Sequence, residues 1–91
     1  MATYRRVEEL DCWKRARRLV VEVYRLSGRG GFCRDYPLQN QLRRATISVV
    51  ANIAEGFGRY RPTEFHRFLT IARGSCVEVQ TLLRVAMDVV T

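Results

Sequence analysis

The sequence predicts an all-α fold, an up-down antiparallel helical bundle. Along three segments, apolar residues recur at steps of three and four, as they do on one face of an α-helix. No segment alternates apolar and polar residues as a half-buried strand does. Glycine and proline separate the three segments and so place the helix ends between them. The 91 residues are enough for one small domain, residues 1–91. We expect such a domain to bury roughly 60% of its unfolded surface.

The first predicted helix covers residues 11–27. Asp11 is predicted to cap its start, and Gly28, Gly30 and Gly31 to end it. Its buried face is predicted to follow the apolar three-and-four spacing of Cys12, Ala16, Leu19, Val23 and Leu26, widened by Trp13, Val20 and Tyr24.

The second predicted helix covers residues 37–57 and begins at Pro37, a residue favoured in the first turn of a helix. Gly56 and Gly58 are predicted to terminate it. Its buried face is predicted to contain Leu38, Leu42, Ala45, Val49, Ile53 and Phe57. A second face carries the polar residues Gln41, Arg44, Ser48, Asn52 and Glu55.

The third predicted helix covers residues 62–90 and has two apolar lines. The longer line contains Phe65, Phe68 or Leu69, Ala72, Cys76, Val79, Leu83, Ala86 and Val90. The adjacent line contains Ile71, Leu82, Val85 and Val89. This helix is longer than the other two and is expected to overhang them beyond Leu83. Three helices also leave part of each apolar face open, so we expect a fourth helix or another subunit to cover it.

The charge balance is strongly basic. Sixteen basic residues, fifteen of them arginine, stand against nine acidic residues, giving a net charge of +7. The planar guanidinium group suits phosphate contacts, so a polyanion is the expected partner, with RNA or DNA first. The alternative is that the arginines reflect codon bias and serve solubility and subunit salt bridges.

Two groups of residues are candidate sites. For contact with nucleic acid we predict the arginines on and around the turn between the second and third helices: Arg43, Arg44, Arg59, Arg61 and Arg67. Arginines of the first helix are the second choice. Asn52, Glu55 and Arg59 are spaced to form a structural polar network that fixes the same turn. The other interpretation of this trio is a binding surface for a partner.

The sequence offers little for catalysis, cofactors or metal. His66 is the sole histidine and has no partner at nucleophile or metal-ligand spacing. Cys12, Cys33 and Cys76 form no C-x-x-C motif, and Cys12 and Cys76 are expected to pack as small apolar side chains. We therefore expect no catalytic site, no cofactor and no metal. Without a transmembrane segment or a signal peptide, the protein is expected to be cytoplasmic and not bound to a membrane.

Three stretches of sequence resemble a known family. They are DCWKRARRLVVEVYRLS, QLRRATISVVANIAEGFGR and EFHRFLTIARGS, and the NIAEG-x-GR core is the most specific part. They resemble the bacterial four-helix-bundle proteins known from intervening sequences in large-subunit ribosomal RNA genes. The same superfamily includes the accessory variability protein of diversity-generating retroelements.

This resemblance implies a non-enzymatic, up-down-up-down bundle that assembles as a homopentameric ring. In the retroelement branch, the basic surface of the ring engages nucleic acid and a partner reverse transcriptase. The family pattern continues into a fourth helix that has no counterpart in residues 1–91.

Overall fold

The computed structural model describes residues 4–90. Within them the chain forms three α-helices and two short 3₁₀ helices, and no strand. The α-helices are α1 (Asp11–Ser27), α2 (Tyr36–Gly58) and α3 (Pro62–Val89), and the 3₁₀ helices are Val7–Glu9 and Gly30–Arg34. The prediction of an all-helical chain with three main helices is confirmed, with bounds that differ by one residue at the two ends of α2 and at the end of α3.

The helix ends follow from local sequence. Asp35 caps α2, because its Oδ1 accepts a hydrogen bond of 3.2 Å from the backbone N–H of Leu38, and Pro37 lies in the first turn. Gly28 follows the last residue of α1, as predicted. The predicted cap at Asp11 is wrong: Asp11 is the first residue of α1, and Leu10 stands at the cap position without a side-chain hydrogen bond. An acidic residue in the first turn still interacts favourably with the helix dipole.

Helix α2 lies between the other two and packs against both. Gln41 contacts Glu78, Ser48 contacts Ser75 and Phe57 contacts Phe65. Residues further along α2 thus contact residues nearer the start of α3, so these two helices run antiparallel.

Two apolar clusters fill the space between the helices. One lies towards the end of α3, and the other lies towards the α2–α3 turn. Buried residues of the first are Val23, Phe32, Leu42, Ala45, Val79 and Ala86. Buried residues of the second are Leu10, Ala16, Val49, Ile53 and Ala72. The faces predicted for α2 and α3 are the ones that build these clusters.

The predicted buried face of α1 is too wide. Ala16 and Val23 are buried, but Cys12, Tyr24 and Leu26 are exposed. Because α1 packs mainly against a single neighbour, α2, only a narrow stripe of its surface is covered. Cys12 is therefore a surface thiol rather than a core residue.

The predicted overhang of α3 is also largely absent. Phe32, in the 3₁₀ helix Gly30–Arg34, is buried in the same cluster as Ala86, and Val90 packs against that cluster. A Cβ atom added to Gly31 would lie 3.5 Å from a methyl group of Val90. The linker between α1 and α2 thus covers one side of the last turns of α3. The adjacent face is not covered, and Ile71, Val85 and Val89 are exposed on it.

Candidate functional site

Arg59 and Arg67 lie on either side of the α2–α3 turn and share one aromatic ring. Their guanidinium carbons lie 5.2 Å and 4.5 Å from the centroid of the Phe68 ring, within the range of a cation–π contact. Each also forms an ion pair with a glutamate three or four residues before it in the sequence. Arg59 Nη2 donates to Glu55 Oε2 at 2.9 Å, and Arg67 Nη2 donates to Glu64 Oε1 at 3.2 Å. Both arginines are therefore already balanced by an internal partner.

The arginines at this turn lower the pKa of Glu64. The hydrogen bond from Arg67 holds the pKa of Glu64 below its ordinary value of 4.5, with added attraction from Arg67, Arg59 and Arg61. In turn, the same hydrogen bond raises the pKa of Arg67. Because Glu64 lies in the first turn of α3, its charge also favours the start of that helix.

Arg61 differs from its two neighbours. It is exposed, and among residues 4–90 it forms no ion pair with a carboxylate. Of the three arginines at this turn, Arg61 is the one that forms no hydrogen bond or ion pair with a carboxylate in residues 4–90, although its charge adds to the lowering of the pKa of Glu64.

Arg43 lies elsewhere and has a structural role. Its Nε donates to Ser27 Oγ at 2.8 Å, its Nη2 donates to the carbonyl of Tyr24 at 3.3 Å, and its guanidinium carbon lies 4.3 Å from the centroid of the Tyr24 ring. Gln39 adds a hydrogen bond of 2.6 Å to the carbonyl of Ser27. Arg43 and Gln39 thus satisfy carbonyl groups at the end of α1.

The five predicted arginines do not form one patch. Arg43 and Arg44 lie 16 and 15 residues before Arg59, which caps the end of the continuous helix α2, and this separates them from Arg59 by about 22–24 Å. The structure brings Arg59, Arg61 and Arg67 together at the turn and leaves Arg44 exposed near the middle of the molecule.

The predicted polar trio likewise divides into two groups. Glu55 and Arg59 form the ion pair at the turn. Asn52 instead donates to the Ser48 carbonyl at 2.8 Å and to Ser48 Oγ at 3.1 Å, and Ser48 Oγ lies 2.8 Å from Ser75 Oγ. The Asn52 group therefore links α2 to α3 through serine side chains, which the spacing of the trio did not indicate.

A second basic surface lies on α1. Lys14, Arg15, Arg17 and Arg18 are all exposed, and none of them forms an ion pair within the described part of the chain. Lys14, Arg17 and Arg18 border a shallow open groove together with Trp13, and Arg25, Glu8 and Glu22 also line it, so cations outnumber carboxylates there four to two. The Arg17 guanidinium carbon lies 5.7 Å from the centroid of the Trp13 ring. We call Lys14, Arg15, Arg17 and Arg18 the α1 basic row. The run KRARR marks this surface in the sequence, whereas its lack of ion pairs is evident only from the structure.

The remaining candidates form no cluster. His66 is exposed, and its backbone carbonyl accepts from Thr70. Across residues 4–90, no group of His, Cys, Asp or Glu side chains is arranged to hold a metal ion. In the same range, no helix is long and apolar enough to cross a membrane.

Comparison with known proteins gives one match. The model of the family described as 23S rRNA-intervening sequence protein matches residues 8–90. No curated protein and no solved structure matches the chain significantly. The match extends from the 3₁₀ helix Val7–Glu9 through all three α-helices, and it includes both the basic row and the α2–α3 turn. The chain therefore belongs to the 23S rRNA-intervening sequence protein family.

Proposed function

We propose that this chain is a non-enzymatic binding protein that contacts RNA or DNA through an arginine-rich surface. The observation that carries the proposal is the α1 basic row, which presents four neighbouring cations that form no ion pair in residues 4–90, although Glu8 and Glu22 line the same groove. Such a row attracts the phosphate backbone and releases its counterions on binding. Trp13 beside Arg17 adds an aromatic face next to the cations.

The arginines of the α2–α3 turn contribute less in this proposal than the sequence predicted. Glu55 and Glu64 already neutralise Arg59 and Arg67, so a phosphate would have to compete with a carboxylate for either of them. Arg61 and Arg44 remain available, and Arg43 is committed to the end of α1. The basic row and Arg61 are the principal contacts that we propose.

The assembly belongs to the same proposal. Ile71, Val85 and Val89 leave an apolar face on α3 exposed. We propose that a further helix and neighbouring subunits complete an up-down bundle and close a ring, which is pentameric by resemblance to the family. A ring repeats each basic row by symmetry and so turns a weak contact into a multivalent one. A cytoplasmic location and a role as accessory to a reverse transcriptase complete the proposal.

One observation favours a different function. Four arginines, Arg6, Arg25, Arg59 and Arg67, are paired with glutamates of the same chain. If this is the main use of arginine here, the protein is a structural or protein–protein interaction module with no role in nucleic-acid binding.

The deciding experiment compares two triple variants that lose the same charge. The first combines Lys14→Gln, Arg17→Gln and Arg18→Gln in the basic row. The second combines Arg29→Gln, Arg34→Gln and Arg84→Gln, which are exposed and form no ion pair in residues 4–90. Affinity for a single-stranded RNA of fixed length is measured at several salt concentrations.

We expect the first variant to lower the slope of log affinity against log salt by about 2, since each phosphate contact on a single strand contributes about 0.7. The second variant should change this slope little. An equal decrease of the slope in both variants would show that binding depends on net charge alone and not on the α1 basic row. No binding by the unmodified protein at low salt would overturn the proposal in favour of the interaction module.

A further inference from the structure

A small cavity opens at the α2–α3 turn. Its volume is about 250 Å³, and its lining is almost entirely apolar and aromatic. The residues that matter here are Tyr4, Phe57, Tyr60 and Phe65, with Arg61 as the single charged member of the lining.

The floor of the cavity is held in place by the core. Phe57 and Phe65 meet edge to face, with their ring centroids 6.3 Å apart and their planes at 78°. Gly56 lines the cavity beside them, and its missing side chain lets α2 approach Phe65 and Phe68 closely. The two rings are therefore positioned before any ligand arrives.

Tyr60 forms part of the lining in an unusual backbone conformation. Its φ is +60°, the one positive value at a non-glycine residue in the described chain, and the residue is 87% exposed. Its N–H donates to the carbonyl of Phe57 at 3.3 Å, which keeps the turn tight. Glycine would adopt this conformation without strain. An exposed aromatic ring at a strained backbone position does little for stability, and it therefore indicates a role in binding.

Arg61 supplies the charge. Its neighbours Arg59 and Arg67 are neutralised by glutamates and lie against Phe68, whereas Arg61 forms no ion pair in residues 4–90. A free guanidinium group beside an aromatic cavity complements a ligand that joins a flat ring to an anion.

We propose that this cavity binds one unpaired nucleobase of a single-stranded nucleic acid, with the base against Tyr60 and the phenylalanine rings and its phosphate on Arg61. The inference rests on the proposed nucleic-acid function. The volume lies below the roughly 300 Å³ at which pockets for drug-sized ligands begin, so it suits one ring system rather than a larger ligand. An apolar lining recognises a base by stacking, which every base can provide.

The geometry also predicts the kind of strand. A base inside a duplex is stacked and paired on both sides, so its ring cannot enter a cavity without being extruded. A loop or single strand offers unstacked bases directly. The cavity therefore favours single strands over duplex, while the α1 basic row meets phosphates of either.

The test uses the full chain and a short single-stranded RNA that carries one fluorescent 2-aminopurine, with the matching duplex as comparison. The variants are Tyr60→Gly, which removes the ring and relieves the backbone, Tyr60→Phe, which keeps the ring, and Arg61→Gln. Tyr36→Gly removes an exposed tyrosine at the far end of α2 and is the matched control.

Binding should quench the 2-aminopurine in the unmodified protein and in Tyr60→Phe. Tyr60→Gly should lose the quenching and about ten-fold in single-strand affinity, with the salt dependence unchanged. Arg61→Gln should lower the salt slope by about 0.7. Tyr36→Gly should bind the single strand and quench its fluorescence as the unmodified protein does. Tyr60→Gly should leave the affinity for the duplex unchanged.

The outcomes separate this inference from the proposed function. If the basic-row variant weakens binding while Tyr60→Gly leaves both quenching and affinity unchanged, the base site is wrong and the proposed function stands. If Tyr60→Gly changes the oligomer mass and not RNA affinity, the cavity holds a protein segment and the inference is overturned. If the unmodified protein binds no RNA at low salt, both fail.

Discussion

Gly56 lies where α2 meets the start of α3, and no larger side chain fits there. A Cβ atom at this position would lie 2.7 Å from Phe68 Cβ and 3.1 Å from Phe65 Cδ1. Gly56→Ala should therefore separate the helices at the turn and lower the free energy of unfolding by about 1–3 kcal/mol. Urea denaturation followed by circular dichroism measures the change.

Gly74 is the matched control for that substitution. It lies within α3, where an added Cβ would meet nothing within 4 Å. Gly74→Ala should raise stability by about 0.5–1 kcal/mol, because alanine loses less backbone entropy in a helix. Destabilisation by both substitutions to the same extent would contradict the close approach at Gly56.

Arg43 and Arg44 are neighbours in sequence with opposite expected effects. Arg43→Ala removes the hydrogen bonds to Ser27 and Tyr24 at the end of α1, and we expect a loss of about 1–2 kcal/mol in stability. Arg44 is exposed and forms no ion pair in residues 4–90, so Arg44→Ala should stay within about 0.5 kcal/mol. Thermal unfolding of both variants measures the difference. Equal stability of the two variants would show that the contacts of Arg43 do not stabilise the fold.

Single residues show which contacts a sequence can predict. Glu55 and Arg59 are four apart on one helix, so their ion pair follows from helical spacing alone. Asn52 contacts Ser48, which contacts Ser75 27 residues further along the chain. Arg43 donates to Ser27 Oγ and to the carbonyl of Tyr24 in the preceding helix. Such contacts depend on how two helices are aligned, which no local spacing encodes.

At the scale of elements, the 3₁₀ helix Gly30–Arg34 is part of the core rather than a simple linker. Phe32 is 4% exposed and lies in the cluster that includes Val79 and Ala86 of α3. Phe32→Ala should cost about 3 kcal/mol by leaving a cavity under the end of α3. Arg34→Ala, at an exposed position in the same 3₁₀ helix, is the control. Equal stability of the two variants in urea would show that the segment does not support α3.

The first turn of α3 should be sensitive to acid. The pKa of Glu64 is held below 4.5 by the hydrogen bond from Arg67, so the folded state favours the ionised carboxylate. Its stabilising contribution is present above that ordinary value and is lost as the pH falls through the lowered pKa. We expect the melting temperature to fall less steeply between about pH 5 and pH 2 in Glu64→Gln than in the unmodified protein.

Arg67→Gln provides the complementary measurement. Without the hydrogen bond from Arg67, the Glu64 carboxylate should titrate closer to its ordinary value, with Arg59 and Arg61 still lowering its pKa, and the pH dependence should flatten towards that of Glu64→Gln. Steeper acid sensitivity in either variant would show that the ion pair is not the cause.

The helices themselves were predictable, and their packing only partly so. Strong three-and-four periodicity located α2 and α3 and their buried faces, because each face is covered along its length. On α1 the apolar residues Cys12 and Leu26 are exposed, since only α2 covers that helix well. The sequence shows which residues are apolar, whereas the number of helices packed against each helix determines how many of those residues are buried.

The whole molecule is elongated, with extents of 47 × 19 × 15 Å, and the open faces run along its length. Because α1 and α3 pack mainly against α2 and little against each other, both clusters include half-buried side chains such as Trp13, Leu69 and Leu83. We propose that a further helix and neighbouring subunits cover these surfaces.

The assembly provides the last prediction. Ile71 and Val85 lie 14 residues apart on the exposed apolar line of α3, about 21 Å along one face. If that line is a subunit interface, Ile71→Glu combined with Val85→Glu places two charges in every copy of it, because a symmetric ring repeats each interface. Sedimentation should show an oligomer for the unmodified protein and a monomer of equal helical content for the double variant. Gln80→Glu adds a charge at an exposed polar position on the opposite side of the same helix from Ile71 and Val85, and it should leave the oligomer intact. A stable monomer for the unmodified protein would contradict the ring.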